Sequence, residues 1–307
     1  MENALNSFLL KRVFALNEQG GRSYNEDCIF PPLGTAQRSD RLFMVCDGVG
    51  GSSNGQVASR LVCETMSRFF KENLGEGDLP NADFLREAQK AALEAMDDYV
   101  AQHPDSAGMG STLTLVYLHS NGALVAWCGD SRIYQVRDGQ VLFQSKDHSL
   151  VQELVRQGEI TAEEAEKHPQ RNVILRSLTA GVAPSTIDIH LITDLQAGDY
   201  LLLCTDGLLE NVNEKVLRET LSEPTDKEDL AHTFNRFAFG RTKDNYSMYL
   251  LECASIQGDT KPFSKKEIQH AVKAAEVKTE AGNGKKWWWI GVVLCILLLL
   301  LYLNRPV

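Results

Sequence analysis

Two hydrophobic periods alternate along this chain. Short apolar runs, rich in β-branched and aromatic residues, recur at 13–16, 28–30, 43–46, 112–118, 123–128, 132–136, 141–143, 186–192, 200–204 and 246–253. Runs of that length bounded by Gly, Pro, Asn or Asp predict strands. Four of them are separated only by Asn121-Gly122, Gly129-Asp130 and Asp138-Gly139. Strands so closely spaced predict an antiparallel sheet, and Asp138-Gly139 predicts a hairpin turn.

Between the runs the period lengthens to that of a helix. Val57, Leu61, Val62, Met66 and Phe69 form one apolar stripe, opened by residues 52–55. Phe84, Ala88, Ala91, Ala92 and Ala95 form another over 83–100, stopped by His103-Pro104. Further helices are expected at 149–157, ended by Gly158, and from the capping box Thr161–Glu164 to His168-Pro169. Two more are expected at 214–221 and 227–239. Strands and helices come in blocks, not in strict alternation. That order predicts an α+β sandwich of sheets flanked by helices over 1–256.

The pattern changes after that point. Residues 257–286 read as a basic linker, with seven lysines against Glu267, Glu276 and Glu280 from Lys261 to Lys286 and one short helix opened by Ser264. Residues 287–303 are then apolar without a charge. About 17 residues make a helix of roughly 25 Å, near the lower limit for a bilayer span. Trp287, Trp288 and Trp289 suit a lipid interface, and the lysines precede the run. The expectation is a single-pass C-terminal anchor in the cell membrane, with residues 1–256 on the cytoplasmic side. Phe8-Leu9-Leu10 is too short for the apolar core of an export signal, and none is expected.

Composition narrows the chemistry. The 307 residues carry a formal charge of −10, in spite of the basic linker. That argues against nucleic acid as a partner. A site for anions on so acidic a chain needs a cation or a local arginine. Seven cysteines lie scattered, several inside strand-like runs, with no Cys-x-x-Cys pair. They read as buried thiols in a reducing compartment, not as a zinc site.

The stretch Phe43 to Gly51 concentrates the remaining signal. Asp47 stands at the expected end of a buried strand, before a glycine-rich turn. Gly48, Gly50 and Gly51 permit close backbone approach and positive φ. Neither a phosphate-loop nor a dinucleotide fingerprint fits, because no Gly-Lys-Ser/Thr follows and position 53 is serine. Acidic residues recur at the ends of other strands: Glu26-Asp27, Asp130, Asp206 and Asp244. Several carboxylates at one place repel unless a cation holds them. An oxygen-only set selects Mg²⁺ or Mn²⁺ over zinc.

Eight stretches together resemble the metal-dependent protein serine/threonine phosphatases of the PPM (PP2C) family, most closely the bacterial members. They are Arg22-x-x-Asn25-Glu26-Asp27, Phe43 to Gly51, Gly110-Ser111-Thr112, Trp127 to Tyr134, Lys146-Asp147-His148-Ser149, Leu175-Arg176-Ser177-Leu178, Leu203 to Leu208 and Asp244-Asn245-Tyr246-Ser247, in the family's order. The resemblance implies a PP2C-like sandwich of two antiparallel sheets with metals in a cleft at one end. It implies that Asp47 bridges two Mn²⁺ or Mg²⁺ ions, that Gly48 offers a backbone carbonyl, and that Asp206 and Asp244 complete the ligands. Glu26 and Asp27 would hold waters on the metals, Asp130 would bind a third ion, and Arg22 would grip the phosphate. Residues 145–176 resemble a flap beside the site, carrying Arg156 and Arg171.

The chemistry implied is attack on phosphorus by a water activated between two metals. Two competing phosphatase chemistries lack their motifs. No cysteine has an arginine six positions on, and no Asp-x-Asp-x-Thr/Val occurs. One departure from the family is Val49, where eukaryotic relatives often place histidine, so the leaving-group proton donor is unassigned. Substrates would be phosphoproteins, among them a serine/threonine kinase whose signalling the enzyme is expected to counteract. Two other readings are a catalytically weak, membrane-tethered phosphoprotein-binding module and a stress-signalling phosphatase with one small protein substrate. The retained carboxylates count against the module, and the lack of a sensor domain counts against the stress-signalling reading.

Overall fold

A computed structural model describes residues 10–254, apart from 50–53, 76, 121 and 223–228. All of them fall in the first of two units of the chain, Met1–Ala275. The chain begins with β1 (Leu10–Glu18), β2 (Asp27–Phe30) and β3 (Leu42–Val49), followed by α1 (Asn54–Asn73) and α2 (Ala82–Gln102). A strand block follows: β4 (Gly110–Ser111), β5 (Leu113–His119), β6 (Gly122–Cys128), β7 (Arg132–Arg137) and β8 (Gln140–Gln144). Next come α3 (Leu150–Gln157), α4 (Ala162–Glu166), β9 (Leu178–Thr179), β10 (Asp188–Ile192) and β11 (Tyr200–Cys204). Helices α5 (Asp206–Leu209), α6 (Glu214–Leu221) and α7 (Leu230–Ala238) lead into β12 (Tyr246–Cys253).

The strands form two antiparallel sheets. One has the order β1-β12-β11-β7-β8; the other runs β10-β6-β5-β3-β4-β9, with β2 on β3. The expected α+β sandwich is therefore observed. The central strands are apolar on both faces because both faces are covered. Phe43 and Val45 of β3 pack between the sheets with Leu201, Leu203, Tyr249 and Leu251. The Phe43 and Tyr249 rings meet edge to face at 5.1 Å. The alternate residues, Met44 and Cys46, face α1 and α2. On the other sheet Leu202, Cys204, Met248 and Leu250 face α6 and α7. Period-2 alternation thus fills three apolar layers from two sheets.

Local chemistry sets the boundaries. Asn81 caps α2 by accepting from Phe84 N at 2.9 Å, and Gly158 ends α3 in the left-handed region at φ 75°. The capping box of Thr161 and Glu164 opens α4. Asp138 and Gly139 both have positive φ, at 49° and 73°, as a two-residue hairpin turn requires.

Three expectations change. Asp47 does not end its strand: β3 continues to Val49, because Gly48 and Val49 pair with Ser111 and Gly110 of β4. Gly48 has no positive φ; its lack of a side chain serves close approach instead. Asp206, expected only as an acid at a strand end, also opens a single helical turn. Gly50 and Gly51, the linker 257–286 and the apolar segment 287–303 lie outside the described residues. Among the described residues no helix is long and apolar enough to cross a membrane.

Candidate active site

The inter-sheet layer changes character along its length. On β3 the inward row runs Phe43, Val45, Asp47. On β2 it runs Ile29, then Asp27, which stands directly opposite Asp47 in the ladder. On β11 Leu201 and Leu203 lead to Thr205, and on β12 Leu251 and Tyr249 lead to Ser247. On β5 Leu118 and Val116 lead to Thr114, with Thr112 beyond. A period of two carries one face of each strand to the same end of the sandwich. There every row turns from apolar to polar.

Hydroxyls fix that polar end. Thr205 Oγ1 donates to Asp27 Oδ2 at 3.0 Å, joining the two sheets, and accepts from Ser247 N at 3.0 Å. Thr112 Oγ1 accepts from Asp47 N at 2.9 Å and lies 2.8 Å from Ser131 Oγ. Asn245 binds the loop before β2: its Oδ1 accepts from Glu26 N at 2.9 Å, and its Nδ2 donates to Gln19 O and Tyr24 O at 2.7 and 2.8 Å. His148 holds the turn before Asp130. Its backbone N donates to Gly129 O at 2.8 Å, and its Nδ1 accepts from Gly129 N at 3.1 Å.

The carboxylates are left short of partners. Glu26 Oε1, Asp27 Oδ1, Asp130 Oδ1 and Asp206 Oδ1 are buried and accept no hydrogen bond. Such atoms are rare in folded proteins, and each costs about 1–3 kcal/mol when unsatisfied. Burial pushes Asp27 up to about 7, Asp130 to about 8 and Asp206 to about 6. Asp47 rises well above the carboxylate range, through burial first and then through Asp27, Asp206, Asp130 and Asp244. Glu26 is raised by burial as well. The mutual repulsion at Asp47 places the aspartates expected from the sequence in one shared field.

Glycines shape the same end. A Cβ on Gly48 would stand 2.1 Å from Gly55 O. A Cβ on Gly55 would stand 2.7 Å from Glu26 Oε1 and 2.8 Å from Gly48 O. The Gly48 carbonyl, expected on a metal, and Glu26 Oε1, expected on a metal-bound water, therefore flank a space that only glycine leaves open. Among the described residues, no three acidic, histidine or cysteine side chains close tightly enough to cage an ion as they stand. One of the acids is engaged elsewhere. Arg22 clamps Asp244, with Nε on Oδ1 at 2.7 Å and Nη2 on Oδ2 at 2.6 Å. This contact with Asp244 raises the Arg22 guanidinium above its ordinary value.

The donor set fits Mg²⁺ or Mn²⁺: all oxygen, buried, anionic and short of hydrogen bonds. Thr205, Ser247 and His148 support the site, though the carboxylate pattern alone does not single them out. Their signal is adjacency: each lies within three residues of a strand-end acid or in one of the motif stretches. In the flap, Arg156 pairs with Glu153 of its own helix at 2.7 Å. That places it on the surface of α3.

A sandwich of two antiparallel sheets flanked by helices, with a group of buried carboxylates at one end, defines the class. The chain belongs to the protein phosphatase 2C family, whose model matches residues 22–240. It is 34% identical over 261 residues to serine/threonine protein phosphatase PstP of Mycobacterium tuberculosis, covering 83% of this chain and 48% of that one. The chain thus spans about half the length of that relative. It is 32% identical to serine/threonine phosphatase stp of Listeria monocytogenes, covering 75% and 91% of the two chains. A solved structure of the PstP catalytic domain in complex with two manganese ions superposes with a TM-score of 0.66 at 33% identity, covering 80% of this chain and all of that one.

Proposed function

We propose that this protein hydrolyses phosphoserine and phosphothreonine in proteins, using two divalent cations held by Asp47, Asp206, Asp244 and the Gly48 carbonyl. A third ion would sit at Asp130. The observation that carries this reading is the set of four buried carboxylate oxygens without partners, at the end of the fold where the sheets' inward rows turn polar. The manganese ions of the PstP catalytic domain support the choice of metal.

Bound Mn²⁺ or Mg²⁺ would acidify a water and screen the charge of the phosphate. The remaining work belongs to the chain. Thr112 and Thr205 hold Asp47 and Asp27 in place. Glu26 and Asp27 would accept hydrogen bonds from that water and orient it. Arg22 presents two parallel N–H donors, the fork that matches two phosphate oxygens. Its charge offsets that of an acidic protein.

A serine/threonine kinase would generate the substrates. The tail at 287–303 would anchor the protein in the cell membrane, with the catalytic domain on the cytoplasmic side.

The test is hydrolysis of a phosphothreonine peptide by the full chain. Activity should appear with Mn²⁺, vanish in EDTA and be abolished by Asp47→Asn or Asp206→Asn. Turnover that survives exhaustive EDTA, or substitutions that leave both metal content and rate unchanged, would overturn the reading.

A further inference from the structure

The helix α5 is one turn long and carries Asp206 at its first position. Glu210 follows one turn on, its N–H donating to Asp206 O at 3.1 Å. An acid at the C-terminal end of a helix opposes the helix dipole. Nothing within α5 asks for a carboxylate there. Glu210 turns instead to the segment before β12. Its Oε2 accepts from Thr242 Oγ1 at 2.7 Å and from Lys243 N at 2.9 Å. The Thr242 hydroxyl also lies 2.9 Å from Gly207 O.

The residue after Lys243 is Asp244. The two backbones touch here: a Cβ on Gly207 would fall 1.9 Å from Asn245 O and 3.1 Å from Asp244 Cβ. One turn of helix thus presents Asp206 on one side and, through Glu210, fastens the segment bearing Asp244 on the other. Two like charges held this close need a mechanical tie, since their own interaction drives them apart.

We propose that Glu210 is a positioning residue: its carboxylate ties the Thr242–Lys243 backbone to α5, which fixes Asp244 against Asp206 so that the pair can share a cation. This rests on the reading of Asp206 and Asp244 as cation ligands. The tie acts through accepted hydrogen bonds, not through its charge, because both partners are neutral donors. A glutamine oxygen accepts from the same two donors.

The experiment measures Mn²⁺ binding to the full-length protein by calorimetry, for the parent, Glu210→Ala, Glu210→Gln and Thr242→Val. Loss of groups that orient metal ligands commonly weakens binding 10–100-fold. Glu210→Ala should weaken Mn²⁺ binding by about tenfold. It should raise the Mn²⁺ concentration for half-maximal activity equally and leave the phosphopeptide KM unmoved. Glu210→Gln should restore parental binding. Thr242→Val, which keeps the carboxylate and one of its two donors, should fall between parent and Ala. It also serves if the alanine protein does not fold. Parental Mn²⁺ affinity in Glu210→Ala overturns the proposal, as does a glutamine variant as weak as alanine, which would make charge the operative property. Asp206→Asn in the same titration separates the two readings: unchanged Mn²⁺ binding there sinks the ligand assignment itself.

Discussion

Arg22 and Asp244 hold each other with both of their parallel donors and acceptors, and each is expected to serve a different ligand. Asp244 must release an oxygen before it binds a cation. Arg22 must leave Asp244 before it grips phosphate. Removing the arginine therefore has opposite effects on the two ligands. The Arg22 side chain is 54% exposed and that of Asp244 26%, so solvent screens the pair. An ion pair of that exposure contributes about 1 kcal/mol, near the top of the range for surface pairs because it is bidentate. Freed from that competition, Asp244 should bind Mn²⁺ about fivefold more tightly in Arg22→Ala. The KM for a phosphothreonine peptide should rise over the same substitution, more than kcat falls, because a ground-state phosphate contact is lost. Arg22→Lys tests the geometry. Lysine keeps the charge but lacks the fork, so it should bind Mn²⁺ more tightly than the parent if the clamp is what competes. Calorimetric titration reads the first quantity and steady-state kinetics the second. Mn²⁺ affinity unchanged or weakened in Arg22→Ala would refute the competition. A lysine variant identical to the parent would show that bulk charge, not the clamp, opposes the cation.

The pH dependence of the metal-free fold follows from the raised carboxylates. Asp27, Asp130 and Asp206 sit at about 7, 8 and 6 when folded, against about 4 when unfolded. Their contribution to stability is fully present below about pH 4 and is lost progressively as pH rises from about 4 to about 8. The thermal midpoint in EDTA should fall over that window, and saturating Mn²⁺ should cancel the fall; a midpoint in EDTA that stays flat or rises would contradict the assignment. Gly48→Ala should destabilise by about 1–3 kcal/mol or more, because the new Cβ meets Gly55 O at 2.1 Å; an unchanged denaturant midpoint would show that the backbone there yields. Full-length protein should stay in the membrane fraction after carbonate and high-salt washing, whereas a chain ended at residue 256 should not; release of the full chain without detergent would mean that 287–303 does not span.

The central strands were legible in the sequence because both of their faces are buried. The run 43–46 has no polar residue, and it forms the middle of β3. The outer strand β1 was legible only at 13–16. Its ends carry Lys11, Arg12, Asn17 and Glu18, which hide the period. Arg12 nevertheless belongs to the strand, paired with the buried Glu252 of β12. Strands of two residues, such as β4 and β9, are too short to show any period. Yet β4 is what extends β3 past Asp47. The acids of the site were legible one by one, as carboxylates at strand ends. Their supports were not. Thr205 reads as a strand-end residue until its hydroxyl is seen to reach Asp27 on the other sheet. Glu210 reads as an ordinary surface acid until it is seen to hold residues 32 and 33 positions further along. Such contacts span long sequence separations, and no local pattern encodes them.

The same alternation that builds the core also builds the site. Phe43 and Val45 point into the layer between the sheets, and Asp47 is the next residue in that row. A register slip of one residue would swing Asp47 toward α1 and move Phe43 from the inter-sheet layer to the helix-covered layer together. The apolar half of each strand therefore fixes where its carboxylate points, to the precision of core packing. The cost is borne at the polar end, where oxygens are buried without partners and carboxylates repel. A cation that binds only the folded arrangement stabilises it by mass action. The groups that weaken the metal-free fold are then the groups that give the loaded fold its affinity. Asp27 and Asp47 take their direction from paired strands and Asp206 from a single helical turn, while Glu26, Asp130 and Asp244 lie between elements, where Asn245, His148 and Glu210 hold the adjoining backbone.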